Sequence, residues 1–189
     1  MAETADRYRE LLSQCRSLFA LKAQDYGSAW RVLRTPSLTD QISIKVQRIR
    51  SIELKGAQKV SDRIEDDYVG IVNYALMALI QLRLGPTDHP DLSVAQALEA
   101  FDRASDDCYD LMLAKNHDYG EAWKTLRLSS ITDLMLQKLL RIKQIEDRAG
   151  STLVSEGLEA NFMDLVNYAV FALLKLDAVQ SPTDTPSTP

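Results

Sequence analysis

Apolar side chains recur along this chain at helical spacing, in two sets of three stretches. Residues 6–22 place Tyr8, Leu11, Leu12, Cys15, Leu18 and Phe19 on one helix face, and Phe101, Ala104, Cys108, Leu111 and Met112 repeat that stripe later. Each stripe runs into Asp-Tyr-Gly. Gly27 and Gly120 are predicted to stop the helix in the left-handed conformation that glycine enters without steric cost. The Ala-Trp-x-x-Leu that follows reads as a short helical turn with Trp30 and Leu33 facing inward. Next, Ser37-Leu-Thr-Asp40 and Ser130-Ile-Thr-Asp133 have the form of a helix start, predicting helices over about 38–55 and 131–148. A third helix in each half is predicted from N-caps at Ser61 and Ser155 to near Leu82 and Leu176. Val72, Tyr74, Ala75, Ala78, Leu79 and Leu82 leave it apolar nearly all round.

The two sets are copies. Lys22–Arg34 reads KAQDYGSAWRVLR and Lys115–Arg127 reads KNHDYGEAWKTLR, identical at eight of thirteen positions. Outward from that pair, Ser37, Thr39, Asp40, Lys45, Arg48, Ile49, Ile52 and Glu53 recur 93 residues later. Val72-Asn73-Tyr74-Ala75 recurs 94 later as Val166-Asn167-Tyr168-Ala169. Three amphipathic helices, repeated, cannot each bury a stripe alone. The predicted fold is therefore all-α: six long helices in a bundle of two tandem three-helix repeats related by a pseudo-twofold axis, a homodimer fused into one chain. Residues 1–84 form the first repeat, 85–92 a linker with the turn chemistry of Gly-Pro-Thr-Asp-His-Pro, 93–178 the second repeat, and 179–189 a tail too polar to order. Either a monomer or a homodimer of such fused chains is consistent with this layout.

Charge narrows the partners. A net charge of −5 without a basic stripe argues against wrapping a DNA or RNA duplex, while a small anion in a local basic pocket stays open. No stretch reaches the roughly 18 apolar residues of a membrane span, and the N-terminus lacks a signal-like apolar region, so a cytoplasmic protein is expected. Cys15 and Cys108 fall on apolar helix positions and read as buried free thiols. The two histidines, His89 and His117, form no metal or triad constellation, so metal chemistry would have to use carboxylates.

Polar positions kept in both copies are the candidates for chemistry. Lys45 and Arg48 share a helix face, as do Lys138 and Arg141. Counting back from the shared asparagine gives Asn73, Gly70, Asp66 and Asp62 in one copy and Asn167, Asp164, Ala160 and Glu156 in the other, predicted to lie on one helix face. Such an acid row opposite Lys and Arg would hold Mg²⁺ and the phosphates it bridges, with Asp62, Asp66, Glu156 and Asp164 as ligands; interhelical ion pairing is the alternative. Asn73 and Asn167 would read a base edge or sugar hydroxyl, or else satisfy a buried backbone group. In the repeated corner, helix capping and core packing account for Gly, Trp and Leu. They do not account for Lys22, Asp25, Tyr26, Arg34 and their counterparts Lys115, Asp118, Tyr119 and Arg127. In a ligand-lining role, Trp30, Trp123 and the tyrosines would stack on a planar ring while the cations meet phosphates.

At K-x-x-D-Y-G-x-A-W, the K-x-x-R-I of the second helix and the D-L-V-N-Y-A of the third, the chain resembles a bacterial and phage family. This is the first nucleotide-modification-associated domain, here in tandem over about 6–83 and 99–177. That resemblance implies a nucleotide ligand. More remotely, the helical layout is similar to the all-α nucleoside triphosphate pyrophosphatases of the MazG and dimeric dUTPase kind, which bind Mg²⁺ through E-x-x-E on one helix and E-x-x-D on the next. No E-x-x-E occurs on the first or second helix of either copy here, and the acid row supplies the counterparts of the second pair only. The expectation is a nucleotide-binding protein, with Mg²⁺-dependent hydrolysis of a non-canonical or modified nucleoside triphosphate as its catalytic form. In that form a metal-activated water attacks phosphate held by Lys45, Arg48, Lys138 and Arg141. A non-enzymatic interaction module whose polar positions only fix packing is the alternative.

Overall fold

The computed structural model describes residues 2–150 and 156–180, with side chains through Ala178. Six helices follow in order: α1 (Ala2–Tyr26), α2 (Thr35–Lys55), α3 (Ile64–Leu84), α4 (Val94–Tyr119), α5 (Leu128–Asp147) and α6 (Leu158–Gln180). Among the described residues there is no strand, so the chain is an all-α bundle. No helix among them is long and apolar enough to cross a membrane. The Ser155 cap and the tail beyond Gln180 lie outside the described residues.

The duplication sets the packing. Each helix meets its own counterpart: α3 on α6, α2 on α5, and α1 on α4. Within a repeat, α2 packs on α3 and α5 on α6. Because α3 and α6 are covered from all these sides, their runs of Ile71, Val72, Ala75, Leu76, Ala78 and Leu79, and of Leu165, Val166, Ala169, Val170 and Ala172, are fully buried. Small residues among them let the two central helices approach closely. On the outer pair, Phe19 and Phe101 stack across the join at 4.6 Å, and Arg16 clamps Asp102 at 2.5 and 2.9 Å.

Both corners have the predicted form. Gly27 and Gly120 adopt φ of 61° and 59°, and short 3-10 turns follow at Ala29–Val32 and Ala122–Thr125. Trp30 and Trp123 pack against the core from these turns. Three helix starts differ from expectation. α2 begins at Thr35 behind Arg34 and α5 at Leu128 behind Arg127, so Ser37 and Ser130 fall inside the first turn and cap nothing. Pro36 explains the first case: its fixed φ and missing N–H suit the opening turn of a helix. α3 begins at Ile64 rather than after Ser61, and the Asp66 carboxylate accepts from the Arg63 backbone N–H at 3.2 Å.

Both cysteines are free and buried. Burial pushes the Cys15 thiol up to about 12, with no thiolate character near neutrality.

Candidate functional site

The polar positions retained in both copies divide into two groups with different work. The first holds the repeats together. Thr39 on α2 donates its hydroxyl to Glu146 on α5 at 2.7 Å, and the counterparts do the same in reverse, Thr132 donating to Glu53 at 2.9 Å. Both threonines are fully buried. A twofold interface requires such self-complementary pairing, which accounts for four retained residues without any ligand.

The second group surrounds a cavity of about 640 Å³ in the first repeat, between the end of α1, its corner and α3. Lys22 and Tyr26 come from the C-terminal end of α1, Trp30 and Leu33 from the corner, Lys45 from α2, and Asp66, Gly70, Asn73 and Met77 from α3. Tyr26 is exposed at 71% and Trp30 is half-buried, meeting Phe19 edge-on at 6.1 Å. Lys22 has no ion pair among the described residues, whereas Lys45 turns to Asp67 at 3.3 Å.

Asp67 is an acid outside the predicted row. It is buried on α3 and pairs with both Arg48 and Lys45, while Arg48 also donates to the Asp62 backbone carbonyl at 2.9 Å. The predicted acid row does not form one helix face. Asp62 precedes the start of α3 and Glu156 precedes the start of α6, so neither belongs to the helical register that was counted. Of the four acids, Asp66 is exposed on the first turn of α3, and Asp164 is buried in ion pairs with Lys115 and with Lys138, the latter at 2.6 Å. Glu156 lies 4.0 Å from Lys138. Burial disfavours the charge of Lys115, but its bond to Asp164 and the negative charges of Asp164 and its neighbours together outweigh this and raise its pKa.

The repeats thus differ at equivalent places. Asp67 corresponds to Asn161, whose amide donates to the carbonyls of Glu156 and Gly157, and Gly70 corresponds to Asp164. The acid has moved by one helical turn. At Gly70 an added Cβ would lie 2.5 Å from Lys45 Cε, so the lysine stem fills the space that a carboxylate takes in the second repeat. The aromatic partners have exchanged too. Phe19 corresponds to Met112 and Met77 to Phe171, and Phe171 lies flat on Trp123 with centroids 4.5 Å apart and planes at 2°.

The remaining expected residues are placed as follows. Asn73 donates to the Cys15 carbonyl at 3.2 Å, and Asn167 accepts from the buried Tyr8 hydroxyl at 2.5 Å, so both amides are engaged inside the bundle. Phe101, the counterpart of Tyr8, has no hydroxyl, and Asn73 Oδ1 has no hydrogen-bond partner among the described residues. Asp25, Arg34, Asp118, Tyr119, Arg127 and Arg141 are exposed.

One polar centre had no signal in the sequence. Arg31 is 1% exposed and bonds Asp91 at 2.9 and 3.2 Å as well as the side-chain oxygen of Gln81. Gln81 in turn donates to the carbonyls of Arg31 and Leu33. Together with Ser28, whose hydroxyl donates to the Leu92 carbonyl at 2.9 Å, this fastens the connection before α4 onto the corner of the first repeat.

A family model described as nucleotide modification associated domain 1 matches residues 22–82 and again 115–176. Each match opens on the lysine near the end of α1 or α4 and closes near the end of α3 or α6, so it spans corner, second helix and third helix. No curated protein and no solved structure matches the chain. With the two matched segments covering more than half its length, the chain belongs to the nucleotide modification associated domain 1 family and carries that domain twice.

Proposed function

We propose that this protein binds a nucleotide in the cavity of the first repeat. The observation that carries this reading is the composition of the cavity: about 640 Å³ walled by Trp30, Leu33, Met77 and Tyr26, with Lys22 and Lys45 among its few polar groups. Ligand sites are concave and mostly apolar, with a small number of placed polar side chains. An indole or phenol ring takes a planar base by stacking, and a lysine ammonium takes phosphate as a point charge. Lys22, without a carboxylate partner among the described residues, leaves its charge available to an anion. The family description names nucleotide modification, which favours a nucleotide over other ring-bearing anions.

Hydrolysis of the MazG kind would add Mg²⁺, which takes a near-octahedral set of oxygen ligands. The donors present do not fit that ion. Among the described residues no three or more Asp, Glu, His or Cys side chains assemble as a metal site. Asp164 is committed to two lysines, and Asp66 accepts a backbone N–H. These residues support binding without supplying a metal centre.

One observation favours a purely structural module: the reciprocal Thr39–Glu146 and Thr132–Glu53 bonds explain retained polar residues by packing alone. That reading gives Lys22 and Tyr26 no role, and both line the cavity.

Thermal unfolding with a panel of ribo- and deoxyribonucleoside mono- and triphosphates, with and without Mg²⁺, tests the proposal. A ligand of the native state at a hundred times its Kd stabilises by about 2.7 kcal/mol. A rise in Tm that grows with nucleotide concentration is expected. No rise with any of them overturns nucleotide binding.

A further inference from the structure

The second repeat contains, built from its own side chains, a copy of what the first repeat lacks. Lys115 and Lys138 correspond to Lys22 and Lys45, and between them stands the Asp164 carboxylate, bonded to both. In the first repeat that position is Gly70. Against Trp123 lies the Phe171 ring, parallel and in stacking contact. The same position opposite Trp30 holds Met77, and no ring is stacked flat on Trp30 among the described residues. One anion and one planar ring are therefore supplied internally in the second repeat and absent at the matching places in the first.

Resting on the nucleotide reading above, we infer that the first repeat binds a nucleoside monophosphate and that the second is filled by Asp164 and Phe171 acting in place of its phosphate and base. One ligand binds per chain. The phosphate sits between Lys22 and Lys45 beside Gly70, displacing the Lys45 stem that otherwise covers the glycine, and the base lies against Trp30.

Charge selects the monophosphate. Lys22, Lys45 and Arg48 against Asp67 and Asp66 leave one net positive charge around the cavity. A phosphomonoester carries about −1.5 to −2 at neutral pH, within reach of such a site. A triphosphate outruns the cations present and would need a metal that the acids here do not assemble to hold. The position of Asp164 makes the same point: a single anionic group, one side chain long from the helix, satisfies both lysines of the second repeat.

The test is equilibrium dialysis of the full chain with AMP, GMP, CMP and dTMP, alongside Gly70→Asp and Met77→Phe, which give the first repeat the anion and the ring of the second. The first change requires Lys45 to swing aside, since its Cε would lie 2.5 Å from the new Cβ, and the flexible end of that side chain can move. Wild-type protein is expected to bind at least one of the four at one per chain without Mg²⁺, and each variant to bind at least tenfold more weakly with an unchanged fold. Should Gly70→Asp not fold, Met77→Phe carries the same comparison. Binding at two per chain, or undiminished binding by a folded variant, overturns the inference while leaving nucleotide binding in place. Tight binding of triphosphates only, with Mg²⁺, does the same. Failure of every mono- and triphosphate to bind defeats instead the nucleotide reading on which this rests.

Discussion

The Thr39 hydroxyl donates to the Glu146 carboxylate across the join between repeats at 2.7 Å, and this bond is made again, with the partners exchanged, by Thr132 and Glu53. Residues kept after a duplication are easily taken for a shared active site. Here four of them are the interface itself.

The same bonds have a pH signature. Burial raises the pKa of Glu146 and of Glu53, while the threonine hydroxyl opposes the shift in each. A carboxyl with a raised folded-state pKa binds more protons folded than unfolded in that range, so stability falls as pH rises from the ordinary glutamate value through the folded one. Glu146→Gln and Glu53→Gln keep an oxygen to accept from threonine and remove the desolvated charge. Urea unfolding at pH 7 is expected to show each variant as stable as wild type or slightly more so. The difference should vanish as pH drops to about 4, near the unfolded glutamate pKa. A variant clearly less stable than wild type at pH 7 contradicts this account of the interface.

Tyr8 and Asn167 join α1 of the first repeat to α6 of the second, with the hydroxyl donating to Asn167 Oδ1 inside the core. Tyr8→Phe leaves that oxygen buried without its donor, at a cost of about 1–3 kcal/mol. Chemical denaturation should register the loss with an unchanged m-value. A difference below about 0.5 kcal/mol would mean that Asn167 is satisfied without Tyr8.

Arg31 organises the connection between the repeats through Asp91 and Gln81. Arg31→Ala strands the buried Gln81 oxygen and is expected to destabilise by about 1–3 kcal/mol. Arg31 also lowers the pKa of Asp91, a carboxylate partly open to solvent. A depressed carboxyl stabilises above its ordinary pKa of 3.8, and that contribution is lost as pH falls below it through the folded value. Limited proteolysis should cut the 85–92 connection faster in Arg31→Ala than in wild type; equal rates contradict the fastening role.

Much of the bundle was legible because duplication turns one sequence into a comparison. The matched motifs fixed the helix order, the left-handed corners at Gly27 and Gly120, and the pairing of copies about an axis. Helix starts were less legible. Ser37-x-x-Asp40 imitates a capping box, while the stronger signal was Pro36, present in the first repeat only and easily passed over beside a motif shared by both. Asp67 escaped because the count of acids followed the face of Asn73, and α3 meets neighbours on several faces at once. Gln81 and Asp91 lie 50 and 60 residues from Arg31 in sequence, and no local periodicity joins them to it. At the cavity, the cations and aromatics were visible as types. That Phe171 stacks on Trp123 and Asp164 pairs with two lysines, while Met77 and Gly70 stand at the matching places, depends on side-chain contacts, which spacing does not encode.

The chain has two tryptophans, one in each corner. Trp123→Phe leaves Trp30 as the sole indole reporter, and Trp30→Phe leaves Trp123. Fluorescence titration of both variants with the nucleotide that most raises Tm tests the location of the site directly. Saturable quenching is expected with Trp30 alone and absent with Trp123 alone. Equal quenching in both variants, or quenching only through Trp123, would contradict a binding site in the first repeat.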